Sequence, residues 1–193
     1  MTLASLPSDS DHVLGTCPIM SELRTRHGPA RLTTRPPFEA LLGSIASQQI
    51  SGRAAATILG RVRKRVGFTQ RALATAHLNT LRATGLSRAK SLAARELARF
   101  AIAGGLRGLD RLPDEAVVER LIQVKGIGVW TAHMFLMFSL GRTDVWPVGD
   151  GGVQRAAALL YGTSDQETLA ALGERFRPWR SHAAWYLWRS IDG

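Results

Sequence analysis

The chain has 193 residues, enough for one domain or one compact unit of two lobes with an ordinary buried core. Its formal charge of +10 is carried almost wholly by arginine, Lys64, Lys90 and Lys125 being the only lysines, and points to a polyanionic partner, nucleic acid first. The single cysteine, Cys17, excludes an internal disulfide and a cysteine-based zinc or iron–sulfur centre.

Residues 1–11 are polar and acidic and read as a disordered lead rather than a secretory signal. No apolar run reaches membrane-spanning length, so the expected setting is the cytoplasm, without a membrane partner. His12 to His27 suits a short helix that Gly28-Pro29 breaks. After Pro36-Pro37, the apolar residues Phe38, Leu41, Leu42 and Ile45 fall at helical spacing. Ser51 is placed to cap the next helix, whose apolar side is Ala55, Leu59, Val62 and Val66. Its other side holds Arg53, Arg61, Arg63, Lys64 and Arg65, which suits a solvated surface or phosphate contact.

Residues 69–83 read as one or two short helical pieces closed at Gly85. Ser87 caps a helix with Ala89, Leu92, Ala93, Leu97 and Phe100 facing inward, stopped at Gly104-Gly105. Another starts at Leu112-Pro113-Asp114-Glu115 and runs to Ile122. A tight turn, Val124 to Gly128, leads into a helix that is apolar nearly all round. Thr143 to Val148 is extended and delivers Asp150 into a glycine-flanked bend. Residues 151–161 are helical, Ser164 and Glu167 have capping-box spacing for a helix through Leu172, and a last helix begins near Ser181. With no alternating strand, repeat or linker, the fold expected is all-α.

Two glycines one residue apart between helices turn the backbone tightly and present main-chain N–H groups at a helix start, where phosphate is attracted. A plain interhelical turn would use the same residues. The wider pattern over Leu121, Val124, Gly126, Ile127, Gly128, Thr131 and Ala132 resembles the helix–hairpin–helix of DNA-repair proteins. Together with residues 38–51, 84–90, Asp150 and 177–188, the chain resembles the helix–hairpin–helix DNA glycosylase superfamily over roughly residues 36–191. The branch it looks most like is 3-methyladenine DNA glycosylase II, the AlkA type, in a compact form without the N-terminal β-rich domain of larger relatives.

That resemblance implies two helical lobes, a helix–hairpin–helix motif and a cleft between the lobes. Residues 1–35 would be a partly disordered lead joining the terminal lobe, and residues 36–193 the glycosylase unit. The middle lobe would span about 50–140, and the terminal lobe would form from the two chain ends. It implies a monomer acting on double-stranded DNA with damaged bases, in base excision repair. Asp150 takes the position of the catalytic carboxylate, although an aspartate there would equally cap the following helix. Asp144, six residues earlier, suits a structural role.

Trp130, Met134, Trp188 and Arg189 take base-pocket positions; both tryptophans would equally serve as core. An electron-rich indole attracts an alkylated, cationic purine. Met134 and Arg189 stand where relatives carry aromatics, which leaves the lesion range open. Gln48, Gln49, Lys125, Gly126, Gly128 and Thr131 form the implied DNA-contact set, with Gln49 at the position of a wedge that fills the gap left by an extruded nucleotide. Relatives that also cut the strand carry a lysine where Trp130 stands, so the resemblance implies no lyase activity. No cofactor is expected beyond a K+ or Na+ ion at the carbonyls of Gln123 and Lys125. A DNA-binding module without catalysis, or a glycosylase for another lesion, are the alternatives.

Overall fold

The computed structural model describes residues 8–191. Twelve α-helices and one short 3-10 turn make up the regular structure, with no strand among the described residues. They fall into two compact units, one built from both chain ends (residues 1–34 and 141–193) and one continuous (residues 35–140).

The continuous unit holds α3 (Pro37–Ser47), α4 (Gly52–Arg65), α5 (Gln70–Thr75), α6 (Leu78–Arg82), α7 (Arg88–Ile102), α8 (Asp114–Ile122) and α9 (Val129–Phe138). Proline in the first turn of α3 sacrifices no helical hydrogen bond. Phe38, Ala40, Leu41, Leu42, Ile45 and Ala46 of that helix are all buried, because α4, α7 and α9 pack around it. This packing starts the unit at Arg35, ahead of the boundary near residue 50 expected from the sequence. Helix α9 is apolar on every side and buries Ala132, Met134, Phe135, Leu136 and Met137. Ser51 and Ser87 cap α4 and α7 by accepting N–H bonds from Ala54 and Lys90. Ala89 is exposed rather than inward-facing, and Ser91, Ala94, Ala98 and Ala101 are buried on α7. The buried stripe is small-residued, which lets neighbouring backbone come close.

The other unit holds α1 (Ser8–Gly15), α2 (Pro18–His27), α10 (Gly151–Tyr161), α11 (Gln166–Glu174) and α12 (Arg180–Ile191). Of the expected lead, residues 1–7 lie outside the described residues, while Ser8 to Asp11 belong to α1 and are not a disordered lead. The single helix expected from His12 to His27 is two helices, because Pro18 has no N–H to continue the first and instead starts the second. Helix α12 packs on α2 and α10, with Tyr186 fully buried between main-chain partners: its hydroxyl donates to the Gly28 carbonyl at 3.0 Å and accepts from the Ala30 N–H at 3.0 Å. Asp165, not Ser164, caps α11, accepting the Thr168 N–H at 2.8 Å. A carboxylate is the stronger acceptor at a helix start, and that contact holds the Asp165 carboxyl below its ordinary range.

Candidate active site: a capped carboxylate and an uncapped hairpin

Asp150 sits at the end of a braced segment. Residues 141–150 contain no helix, so their main-chain groups need partners elsewhere. Ser181 at the start of α12 supplies several of them. Its N–H donates to the Thr143 carbonyl (2.9 Å), its hydroxyl donates to the Arg142 carbonyl (2.8 Å) and accepts the Val145 N–H (3.0 Å). Arg180 clamps Asp144 through Nε to Oδ1 at 2.7 Å and also bonds its main-chain carbonyl at 2.9 Å. Arg177 adds a second contact to Asp144 at 2.9 Å, so this acid is structural, the role its position suggested. Trp146, buried, donates its indole N–H to the Leu169 carbonyl at 2.9 Å. The Asp150 N–H then closes a turn onto the Pro147 carbonyl at 2.8 Å, and Gln154 reaches back from α10 to the Val148 carbonyl at 3.0 Å.

The carboxylate so delivered is 8 % exposed. Its Oδ1 accepts three N–H bonds: Gly152 at 2.8 Å, Val153 at 2.8 Å and the Trp188 indole at 2.7 Å. The first two are those of a helix N-cap, so the capping role open to Asp150 is realised. The third is a different matter. Trp188 is half-exposed, and its ring edge lies so close to Gly152 that a Cβ there would stand 2.8 Å from Cδ1. Only glycine at 152 lets the indole reach the acid. Trp188, expected as a base-pocket wall, is thus first a donor that orients Asp150.

The other expected pocket residues are placed as follows. Trp130 is half-buried in the first turn of α9, and Met134 one turn later is buried. Arg189 is exposed, with its guanidinium carbon 5.8 Å from the centre of the Trp185 ring. An i,i+4 spacing on α12 directs it to that ring, so the structure gives no support to a pocket charge at this position.

In the continuous unit, the turn between α8 and α9 has φ +93° at Gly126. A Cβ at Gly126 would also lie 2.5 Å from the Ala93 Cβ, so the protein's own packing requires this glycine. Gly128 differs: its φ is −103°, and a Cβ there would meet nothing within 4 Å. No side chain caps α9, and Gly128 is its N-cap residue. Lys125 and Gln123 are exposed on this turn.

Thr131 is buried and Gln48 half-buried. Thr131 is 1 % exposed, and its hydroxyl oxygen receives the Gln48 amide at 3.1 Å. The same Gln48 nitrogen donates to the Gly126 carbonyl at 3.1 Å. Both residues therefore tie the end of α3 to the hairpin, and the buried Thr131 hydroxyl gains a partner. Gln49, exposed, has φ +59° and is the only non-glycine residue with positive φ among the described residues. Backbone strain of this kind persists only where neighbours enforce it.

The sequence matches the HhH-GPD superfamily of base excision DNA repair proteins over residues 42–181. The chain belongs to this superfamily. It is 32% identical to the DNA-3-methyladenine glycosylase 1 of Schizosaccharomyces pombe over 166 residues, covering 81% of this chain and 73% of the relative. A solved structure of the 3-methyladenine DNA glycosylase Mag1 of fission yeast, in complex with abasic DNA, superposes with a TM-score of 0.87 at 30% identity, covering 95% of this chain and 96% of that one. The DNA-3-methyladenine glycosidase of Bacillus halodurans superposes with a TM-score of 0.80 at 34% identity, covering 100% and 93%.

Within this HhH-GPD unit, one residue escaped sequence reasoning. Lys90 lies in a segment that carries the family likeness, with no role read for its side chain. Its ammonium donates to the Ala46 carbonyl at 2.8 Å and the Gln48 carbonyl at 2.6 Å, at the C-terminal end of α3. A lone lysine in the first turn of a capped helix, on a basic chain, carries no signal that would single it out. Among the described residues there is no cluster of three or more His, Cys, Asp or Glu that would hold a metal ion, and no helix long and apolar enough to cross a membrane.

Proposed function

We propose that this HhH-GPD protein is a monofunctional DNA glycosylase that extrudes alkylated bases, 3-methyladenine among them, from duplex DNA and excises them by hydrolysis, with Asp150 as the catalytic carboxylate. The observation that carries the reading is the fixation of Asp150 through three N–H donors on one oxygen in a chain of this superfamily. Those donors hold the carboxylate still, which is what electrostatic stabilisation of a sugar cation requires.

The reaction follows from that charge. An N-alkylated purine bears positive charge, so when the C1′–N bond breaks its electron pair neutralises the departing base. The sugar becomes an oxocarbenium ion, which the carboxylate stabilises from the face opposite the base. Water adds to C1′ and gives up a proton, leaving an abasic sugar. No general acid is needed for a leaving group that departs neutral.

Trp130 stands where a strand-cutting relative would have its lysine, and Lys125 lies on the other side of Gly126. Without an amine at that place no Schiff base forms with the sugar, so the strand stays intact. The uncapped start of α9 at Gly128 would receive a DNA phosphate, assisted by exposed Lys125. A K+ or Na+ ion would sit on the carbonyls of the exposed residues Gln123 and Lys125, adding positive charge beside that phosphate. Half-buried Trp130 offers a ring face to a cationic base.

The test is release of bases from methylated duplex DNA by the wild type and by Asp150→Asn. Release by the wild type alone, with both proteins binding the duplex, is the expected result. Binding without release by the wild type would leave a DNA-binding module. Alkali-independent strand scission would overturn the monofunctional reading.

A further inference from the structure

Helix α7 touches both the end of α3 and the hairpin turn, and it does so within one turn. Lys90 holds the carbonyls of Ala46 and Gln48, and Ala93, three residues on, is the residue that Gly126 of the hairpin packs against. Residues three apart share a helix face. Gln48 then joins the two segments directly, its carbonyl on Lys90 and its amide on the Gly126 carbonyl and the Thr131 hydroxyl. Gln49 follows Gln48 directly, exposed and in the left-handed region. The ammonium completes the C-terminal end of α3, where cations are favoured, and burial lowers its pKa from the ordinary lysine value.

We infer that Lys90 and Gln48 are positioning residues: they fix the Gln49 wedge at a set distance from the hairpin that grips the phosphates. The inference rests on the glycosylase reading above. Its physical content is that insertion of the wedge and grip of the backbone occur as one event, because the wedge loop cannot move independently of the hairpin. Loss of either tie would free the loop, relax Gln49 out of its strained conformation and slow extrusion. Grip on undamaged duplex would persist in Lys90→Met, since the hairpin and the start of α9 keep their own contacts there.

The experiment compares wild type, Lys90→Met and Gln48→Ala in single-turnover base release from two duplexes. In one the alkylated base is paired; in the other it lies opposite an abasic analogue, so that little work of unpairing remains. Both variants are expected to lose about tenfold on the paired lesion and to recover to within about twofold opposite the gap, with the affinity of Lys90→Met for undamaged duplex changed by less than about twofold. Equal losses on both duplexes, or no loss on either, would overturn the inference, since a general structural defect does not discriminate between them. Amide exchange in the free protein provides an arm independent of activity. Faster exchange at Gln49 and Ile50 in both variants, with α9 unchanged in Lys90→Met, is the expected result; unchanged exchange at Gln49 and Ile50 overturns the tether. Should the wild type release no base from either duplex, the activity reading fails, and the exchange arm still decides the tether.

Discussion

Two helix starts, one in each unit, use the same physics in opposite ways. Helix α10 begins with Asp150, whose carboxylate accepts the N–H groups of Gly152 and Val153. Helix α9 begins with Gly128, and no side chain caps it. A helix N-terminus carries partial positive charge and N–H groups in search of an acceptor. In α10 the chain supplies the acceptor and thereby acquires a rigidly held carboxylate. In α9 it leaves the place for an acceptor from outside. The difference shows why both starts are glycine-rich for unlike reasons: Gly152 makes room for Trp188, while no described residue comes within 4 Å of a Cβ at Gly128.

The largest break in this contrast should come from Asp150→Asn. Asparagine caps helices about as well as aspartate, so thermal stability should move by less than about 1 kcal/mol. Base release should nevertheless fall by about 100-fold or more in single-turnover assays, because the charge is gone. A stability loss matching the activity loss would mean that Asp150 serves only as a cap.

Next comes the pair of hairpin glycines. Gly126→Ala drives a Cβ to within 2.5 Å of Ala93 at φ +93°, and should cost roughly 2–3 kcal/mol in urea unfolding. Gly128→Ala meets open space, and should fold within about 0.5 kcal/mol of wild type. Its affinity for duplex DNA should still drop about tenfold, as a methyl group stands where a phosphate would approach. Unaltered DNA affinity in Gly128→Ala would remove the comparison's second half.

Trp188→Phe keeps an aromatic ring and deletes the N–H that reaches Oδ1 at 2.7 Å. About a tenfold loss in base release at unchanged duplex affinity is expected, one hydrogen bond to a charged acceptor being worth about 1.5–3 kcal/mol. An equal loss in substrate binding would instead give the ring face the larger share.

The smallest effect concerns His182, buried on α12 against the Trp179 ring at 5.4 Å between centroids. Burial pushes its pKa down from 6.5 to about 4. Between those values the unfolded chain binds the proton and the folded protein does not, so stability falls as pH drops below 6.5. About 1 kcal/mol should be lost between roughly pH 7.5 and pH 5.5 in urea titrations, and His182→Phe should flatten that loss.

Much of this was legible because it rests on local rules. Helical spacing in residues 37–47 and 129–138, serine caps at Ser51 and Ser87, the glycines of the turn and the aspartate before a helix are all short-range patterns. What escaped was of two kinds. Competition between neighbours was misjudged where Asp165 took the cap from Ser164, and where Pro18 split one helix into two. Side-chain destinations across the fold could not be read at all. Arg189 goes to Trp185, Gln48 and Thr131 to each other, and Lys90 to the end of α3.

The amino-acid sequence alone determined the all-α class, the hairpin, the family and the place of the acid, since each depends on residue types at fixed separations along the chain. Tertiary structure alone decided what orients the acid and what holds the Gln49 loop. Trp188 lies thirty-eight residues from Asp150, and Lys90 forty-two from Gln48. Such pairs meet only after helices pack, and hydrogen bonds depend on a few tenths of an ångström that no spacing along the chain encodes.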